Sequence, residues 1–151
     1  MSLTGVEGLD HSIGTTNLWL SDVASGFGTS DRRLAYRVIR AWLHGLRDRL
    51  TIEDTAHFAA QLPWLLRGVF YEGWNPSQVP GEHDCSEYVT RFARDARIRE
   101  SDVAKAAAVV TAVARLHVTS GAIDEALAPL PAGLRELLEP AAARRAPRPW
   151  R

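Results

Sequence analysis

Disulfides are out of reach for this chain, because Cys85 is its only cysteine, so packing and hydrogen bonds must hold whatever fold it has. An excess of one charge is also missing. Eighteen basic residues balance eighteen acidic ones, so no global field gathers nucleic acid or an anionic membrane, and any such binding must be local. Long apolar runs are lacking as well. The longest, Ala106 to Ala114, includes Thr111 and falls far short of the ~20 residues that a membrane helix needs. Met1 to Thr16 carries Glu7 and Asp10 and has neither the basic start nor the apolar core of a signal peptide. These absences point to a cytoplasmic protein with no membrane partner.

Chemistry-bearing motifs are equally scarce. There is no Gly-x-Ser-x-Gly elbow, no Walker sequence, no dinucleotide fingerprint and no His or Cys pair at zinc spacing. Glu82-His83-Asp84-Cys85 bunches four possible ligands, but adjacent residues rarely point at one ion, and Asp84 is better read as a helix cap. Its acidic neighbours also oppose a reactive Cys85 thiolate. Asp54 with His57, and His44 with Asp48, read as ordinary helix-surface pairs. No catalytic residue, cofactor or metal site is assigned, and the reading leans away from an enzyme.

What the chain does contain is Ala, Leu and Arg. Apolar residues make up 46% and charged residues 24%, a composition that favours soluble helices. Of the eighteen cations only Lys105 is lysine. Residues 1–16 read as a flexible arm with Gly5, Gly8 and Gly14. Asn17 opens a short helix ending at Gly26, and Thr29-Ser30-Asp31 caps a long one with Leu34, Val38, Trp42 and Leu46 on its apolar face. Thr51 caps a third helix, and Pro63 starts a fourth. Residues 75–83 form a Pro/Gly linker. Asp84 opens a fifth helix, a second long helix runs from about Ser101 to Val118, and two short ones follow before Pro140. The Arg-rich tail, residues 140–151, reads as disordered.

Placing Leu62-Pro63 over Leu130-Pro131 gives an offset of 68 residues that also superposes Arg67 on Arg135, Arg47 on Arg115, and the two long apolar stripes. The expected fold is therefore all-α. Two related four-helix units, residues 17–74 and 84–139, pack into one pseudo-twofold bundle, because a unit this small buries too little alone.

Ala59-Ala60-Gln61-Leu62-Pro63, followed by Leu66-Arg67-Gly68-Val69-Phe70-Tyr71-Glu72-Gly73-Trp74-Asn75-Pro76, resembles the bacterial family called domain of unknown function 2267. Thr16-Asn17-Leu18-Trp19-Leu20, Leu46-Arg47-Asp48-Arg49-Leu50 and Leu130-Pro131 with Leu134-Arg135 are similar to its other recurrent segments, so the resemblance covers roughly residues 10–139. It implies an internally duplicated helical protein and brings no catalytic residue, cofactor or substrate.

Two candidate surfaces remain. Phe70, Tyr71 and Trp74 form an aromatic corner able to rim a partner or ligand groove, or to fold back and plug the space between the halves. Arg32, Arg33, Arg37 and Arg40 make one helix face basic. The leading expectation is a non-enzymatic protein-interaction or regulatory module that binds another protein or its own copy. The alternatives are nucleic-acid or nucleoid association through the Arg face and tail, and a small-ligand binder or unfamiliar enzyme at the Trp74 corner.

Overall fold

The computed structural model describes residues 2–81 and 84–145, and among them the chain is all α-helical, with nine α-helices, two 3₁₀ turns and no strand. The helices are α1 (Glu7–Gly26), α2 (Arg32–Arg47), α3 (Ile52–Ala59), α4 (Trp64–Tyr71), α5 (Cys85–Ala96), α6 (Val103–His117), α7 (Ala122–Leu127), α8 (Ala132–Leu138) and α9 (Ala141–Arg145).

Local chemistry starts them where the capping residues predict. The Asp31 carboxylate accepts from the backbone N–H groups of Arg33 and Leu34, the Thr51 hydroxyl from Asp54, and the Asp84 carboxylate from Ser86. Each bond satisfies a donor that the first helical turn leaves without an intrahelical partner. Pro63 and Pro131 precede α4 and α8, and Gly73 leaves α4 at φ +73°, a backbone state that glycine adopts without strain.

Two expectations about the ends need correction. Residues 1–16 are not an arm throughout, since α1 begins at Glu7. Gly8 and Gly14 weaken that segment intrinsically, but tertiary contacts outweigh the weakness. Asp10 accepts from the Ser2 and Thr4 hydroxyls and from the Leu3 and Thr4 backbone, folding the leading residues onto the first turns. The Ser2 bond leads in drawing the Asp10 carboxyl below its ordinary pKa. At the other end, Pro140 stops α8, yet Ala141–Arg145 continues as α9. Residues 146–151 of the tail read as disordered lie outside the described residues.

The long helices α2 and α6 form the centre. α2 packs against α1, α4, α5 and α6, whereas α6 packs against α1, α2, α5, α7 and α8. One continuous apolar cluster runs through them, with Trp19, Trp42, Phe70 and Tyr88 wholly or almost wholly buried. Ala106, Ala107 and Ala114 keep the α6 face low, and the Trp42 indole N–H crosses to the Thr111 hydroxyl at 3.0 Å. Gly45 has a similar packing role: a Cβ there would sit 2.6 Å from the Tyr88 ring, so only glycine admits that ring against α2.

Arginines tie the helix ends together. Buried Arg47 donates to the carbonyls of Phe70 and Glu72 just where α4 ends, and to the Asp48 carboxylate. Arg67 braces the α3–α4 corner through the carbonyls of Ala59, Ala60 and Leu62. Arg115 clamps Glu139, immediately after α8, with two bonds and reaches Asp124 of α7 with a third. The Glu139 bonds do most to hold its pKa above the ordinary arginine value, against the cost of burial.

Candidate functional site

Phe70 is buried, and Tyr71 and Trp74 are half-buried. Their rings continue a ladder outward from the core, Trp42 to Phe58 to Phe70 to Tyr71 to Trp74, with successive centroids 5.3 to 6.0 Å apart. The Trp74 backbone N–H returns to the Tyr71 carbonyl, completing the turn. Tyr71 and Trp74 thus pack on the core and on each other and keep part of their surface exposed.

The basic face is also largely engaged. Arg32 donates to the Asn17 side chain, Arg37 to the Ala96 carbonyl at the end of α5, and Arg40 to Glu72 at 2.9 Å. Arg33 is exposed, and no hydrogen bond holds its side chain among the described residues. His57 faces Glu53 rather than Asp54, at 3.9 Å and fully on the surface. His44 is not paired with Asp48, because α4 packs over it and brings the Val69 carbonyl to 2.7 Å of Nε2. Of the four residues read as possible ligands, Asp84 caps α5 and Cys85 begins it, while Glu82 and His83 lie outside the described residues. Among the described residues no group of three His, Cys, Asp or Glu is placed to hold a metal ion.

A different place stands out as a site. The first half of α1 lies beside the α3–α4 corner and leaves a cleft of about 860 Å³ between them, within the range of ligand-sized concavities. Glu7, His11 and Thr15 come from one wall, Gln61 and Trp64 from the other, and His117 from the end of α6. Ser12 stitches the walls together. Its hydroxyl accepts from the Leu65 N–H at 2.9 Å, serving as a long-range cap for a helix whose own N-cap, Pro63, has no side-chain oxygen. The Trp64 ring lies against Gly8, where a Cβ would come within 2.8 Å of it. Even so, Trp64 remains 53% exposed, and Leu65 next to it is exposed as well.

Beside the cleft, His117 Nε2 meets Asp22 Oδ2 at 2.8 Å, and the imidazole stacks on Trp19 with 5.5 Å between centroids. A carboxylate only accepts, so Nε2 carries the proton and Nδ1 is left as the ring's second polar atom. None of these residues except the Gln61-Leu62-Pro63 corner carries a local sequence signal. Their association is long-range.

The whole of the second wall, and α1 from Thr16 onward, falls within a match to a family described as an uncharacterized conserved protein, DUF2267, over residues 16–137. The chain belongs to the DUF2267 family. A comparison with curated proteins finds no match. In this DUF2267 protein the cleft straddles the edge of the matched region: Gln61 to Trp64 and His117 lie inside it, whereas Glu7 to Thr15 precede it. No described helix is long and apolar enough to cross a membrane.

His44 gives the fold a measurable pH dependence. Burial lowers its pKa below the ordinary 6.5, opposed by the hydrogen bond to Val69 and reinforced by Arg47 and Arg40. The unfolded chain therefore takes up this proton before the folded one. The contribution is complete above about 6.5 and is lost progressively as pH falls below it towards the folded pKa. Urea midpoints should fall between pH 7.5 and 5.5, and His44→Gln, which keeps a donor for Val69, should flatten that fall. An unchanged slope in the variant would assign the pH dependence elsewhere.

Proposed function

We propose that this DUF2267 protein is a non-enzymatic interaction module, and that the cleft between α1 and the α3–α4 corner is where it docks a segment of another protein. The observation that carries the reading is Trp64: a large aromatic held on Gly8, more than half exposed, at the rim of a preformed concavity. A rigid indole supplies contact area at little entropic cost, the property that makes tryptophan a frequent interface anchor. Exposed Leu65 beside Trp64 adds apolar surface, and exposed Glu7 on the opposite wall favours a partner with a basic group beside its apolar anchor.

We further read the bundle as two related four-helix units, α1–α4 and α5–α8. The 68-residue offset supports this, as does the equivalence of Arg47 with Arg115, each fastening the end of its unit's last helix. The packing pattern is also reciprocal, with α5 on α2 and α1 on α6, α4 on α2 and α8 on α6. The first helix of each unit packs on both long helices, α1 and α5 alike on α2 and α6, which lets one core serve both. Nucleic-acid binding is the weaker reading, because three of the four arginines of the basic face already have intramolecular partners.

Native mass spectrometry of the protein isolated gently from its host tests the docking reading. A heavier species is expected for the wild type and for Arg33→Gln, and its loss for Trp64→Ala. Because Trp64 is mostly exposed, that variant should change stability by no more than about 1 kcal/mol. A complex that survives Trp64→Ala, or a bare monomer in the wild type, would remove the cleft as a stable docking site.

A further inference from the structure

We propose that a small cavity between α2 and α5 is a binding site for a free oxyanion of the phosphate and sulfate class, held by the Arg49 guanidinium and the Tyr88 hydroxyl. The cavity, of about 60 Å³, shares no lining residue with the docking cleft. Arg49 is only 4% exposed, yet among the described residues no carboxylate lies within ion-pair distance of it. One nitrogen donates to the Gly45 carbonyl at 3.1 Å, the guanidinium carbon sits 5.0 Å from the centre of the Tyr88 ring, and Nε has no partner. The Tyr88 hydroxyl, on a residue 2% exposed, has no partner either. Both residues line one cavity, and each carries a buried donor without an acceptor.

Buried charges in folded proteins are ordinarily paired, and a buried donor left without an acceptor is costly. The carboxylates on the cavity wall do not supply the missing partner. Asp48 is taken by Arg47 Nε at 2.8 Å, and Asp95 by Arg94 Nε at 3.3 Å. His44 commits its Nε2 proton to Val69, and exposed Arg91 adds a second cation to the lining. Burial lowers the Arg49 pKa, aided by Arg91 and opposed by Tyr88, Glu87 and Asp48. Water would satisfy the donors without neutralising the charge. The space, about 60 Å³, has room for a small tetrahedral anion and is well below the ~300 Å³ at which ligand-sized pockets begin. An anion accepting from Arg49 Nε and Tyr88, with Arg91 at hand, balances both the hydrogen bonds and the charge.

Titration with inorganic phosphate, followed by phosphorus NMR linewidth and calorimetry at constant ionic strength, tests this on the full chain. Saturable binding is expected for the wild type, at least ~10-fold weaker binding for Arg49→Met, and roughly 3-fold weaker for Tyr88→Phe, as for loss of a charge-assisted and a neutral hydrogen bond. Arg49→Met replaces an unpaired buried cation with an apolar chain and should fold; if it does not, Tyr88→Phe alone decides. The site is overturned if the wild type shows no saturation by ~10 mM, well below the concentrations at which phosphate stabilises proteins non-specifically, or if the deciding variant binds like wild type. AMP binding as tightly as phosphate would overturn the assignment to a free anion.

Discussion

Arg47→Met is expected to destabilise the protein by about 3 kcal/mol, read as a lower urea midpoint at unchanged slope. The reason lies in what the guanidinium leaves behind. Arg47 is 4% exposed and donates to the carbonyls of Phe70 at 2.9 Å and Glu72 at 2.6 Å, and to Asp48. Methionine replaces the apolar stem but orphans two carbonyls at the end of α4, at roughly 1–3 kcal/mol each, offset in part by a better-packed side chain. Arg47→Lys should recover little of the loss. A single ammonium cannot reproduce the planar fork that serves two carbonyls and a carboxylate together. A loss below about 1 kcal/mol for Arg47→Met would mean that water or a shifted α4 terminus satisfies those carbonyls. The same variants would also loosen the aromatic ladder, because Glu72 and Phe70 bracket Tyr71.

The reach of sequence reasoning in this protein follows the range of the interactions concerned. Asp31, Thr51 and Asp84 cap helices through N–H groups two or three residues away, so their roles are visible in local spacing. The apolar stripes of α2 and α6 repeat with the helix and identify the core directly. The first half of α1 was hidden for the opposite reason. Glycine costs about 1 kcal/mol relative to alanine within a helix, and Gly8 and Gly14 make residues 7–16 look like an arm. What overrides that cost is Trp64 against Gly8 and Ser12 on the Leu65 N–H, from residues far along the chain. The cleft is a product of those contacts, and the Asp22–His117 pair and the Arg49–Tyr88 cavity likewise join residues far apart in the chain. Phe70, Tyr71 and Trp74 are conspicuous in the sequence as aromatics at a Gly-Pro turn, while Trp64, alone at the start of a helix, offers no pattern.

Trp42→Ala should be still more damaging, at about 3–5 kcal/mol, and it tests whether the two halves share one core. Trp42 is fully buried on α2, its ring lies 6.0 Å from Phe58, and its indole N–H donates to Thr111 on α6. Trp42→Phe separates these contributions. The Thr111 hydroxyl still donates to the Ala107 carbonyl at 2.9 Å, so losing the indole leaves no orphaned donor, and this variant should cost only about 1–2 kcal/mol. A double-mutant cycle with Thr111→Val should give a coupling of about 1 kcal/mol across the α2–α6 contact. The form of the transition matters more than its midpoint. α1 packs on both α2 and α6, and α5 on both as well, so the helices before and after residue 84 draw on one core. Trp42→Ala should therefore lower a single cooperative transition, with fluorescence and circular dichroism falling together. Two separated transitions, with α5–α8 persisting after the first, would show that these contacts do not make the two parts of the chain unfold together.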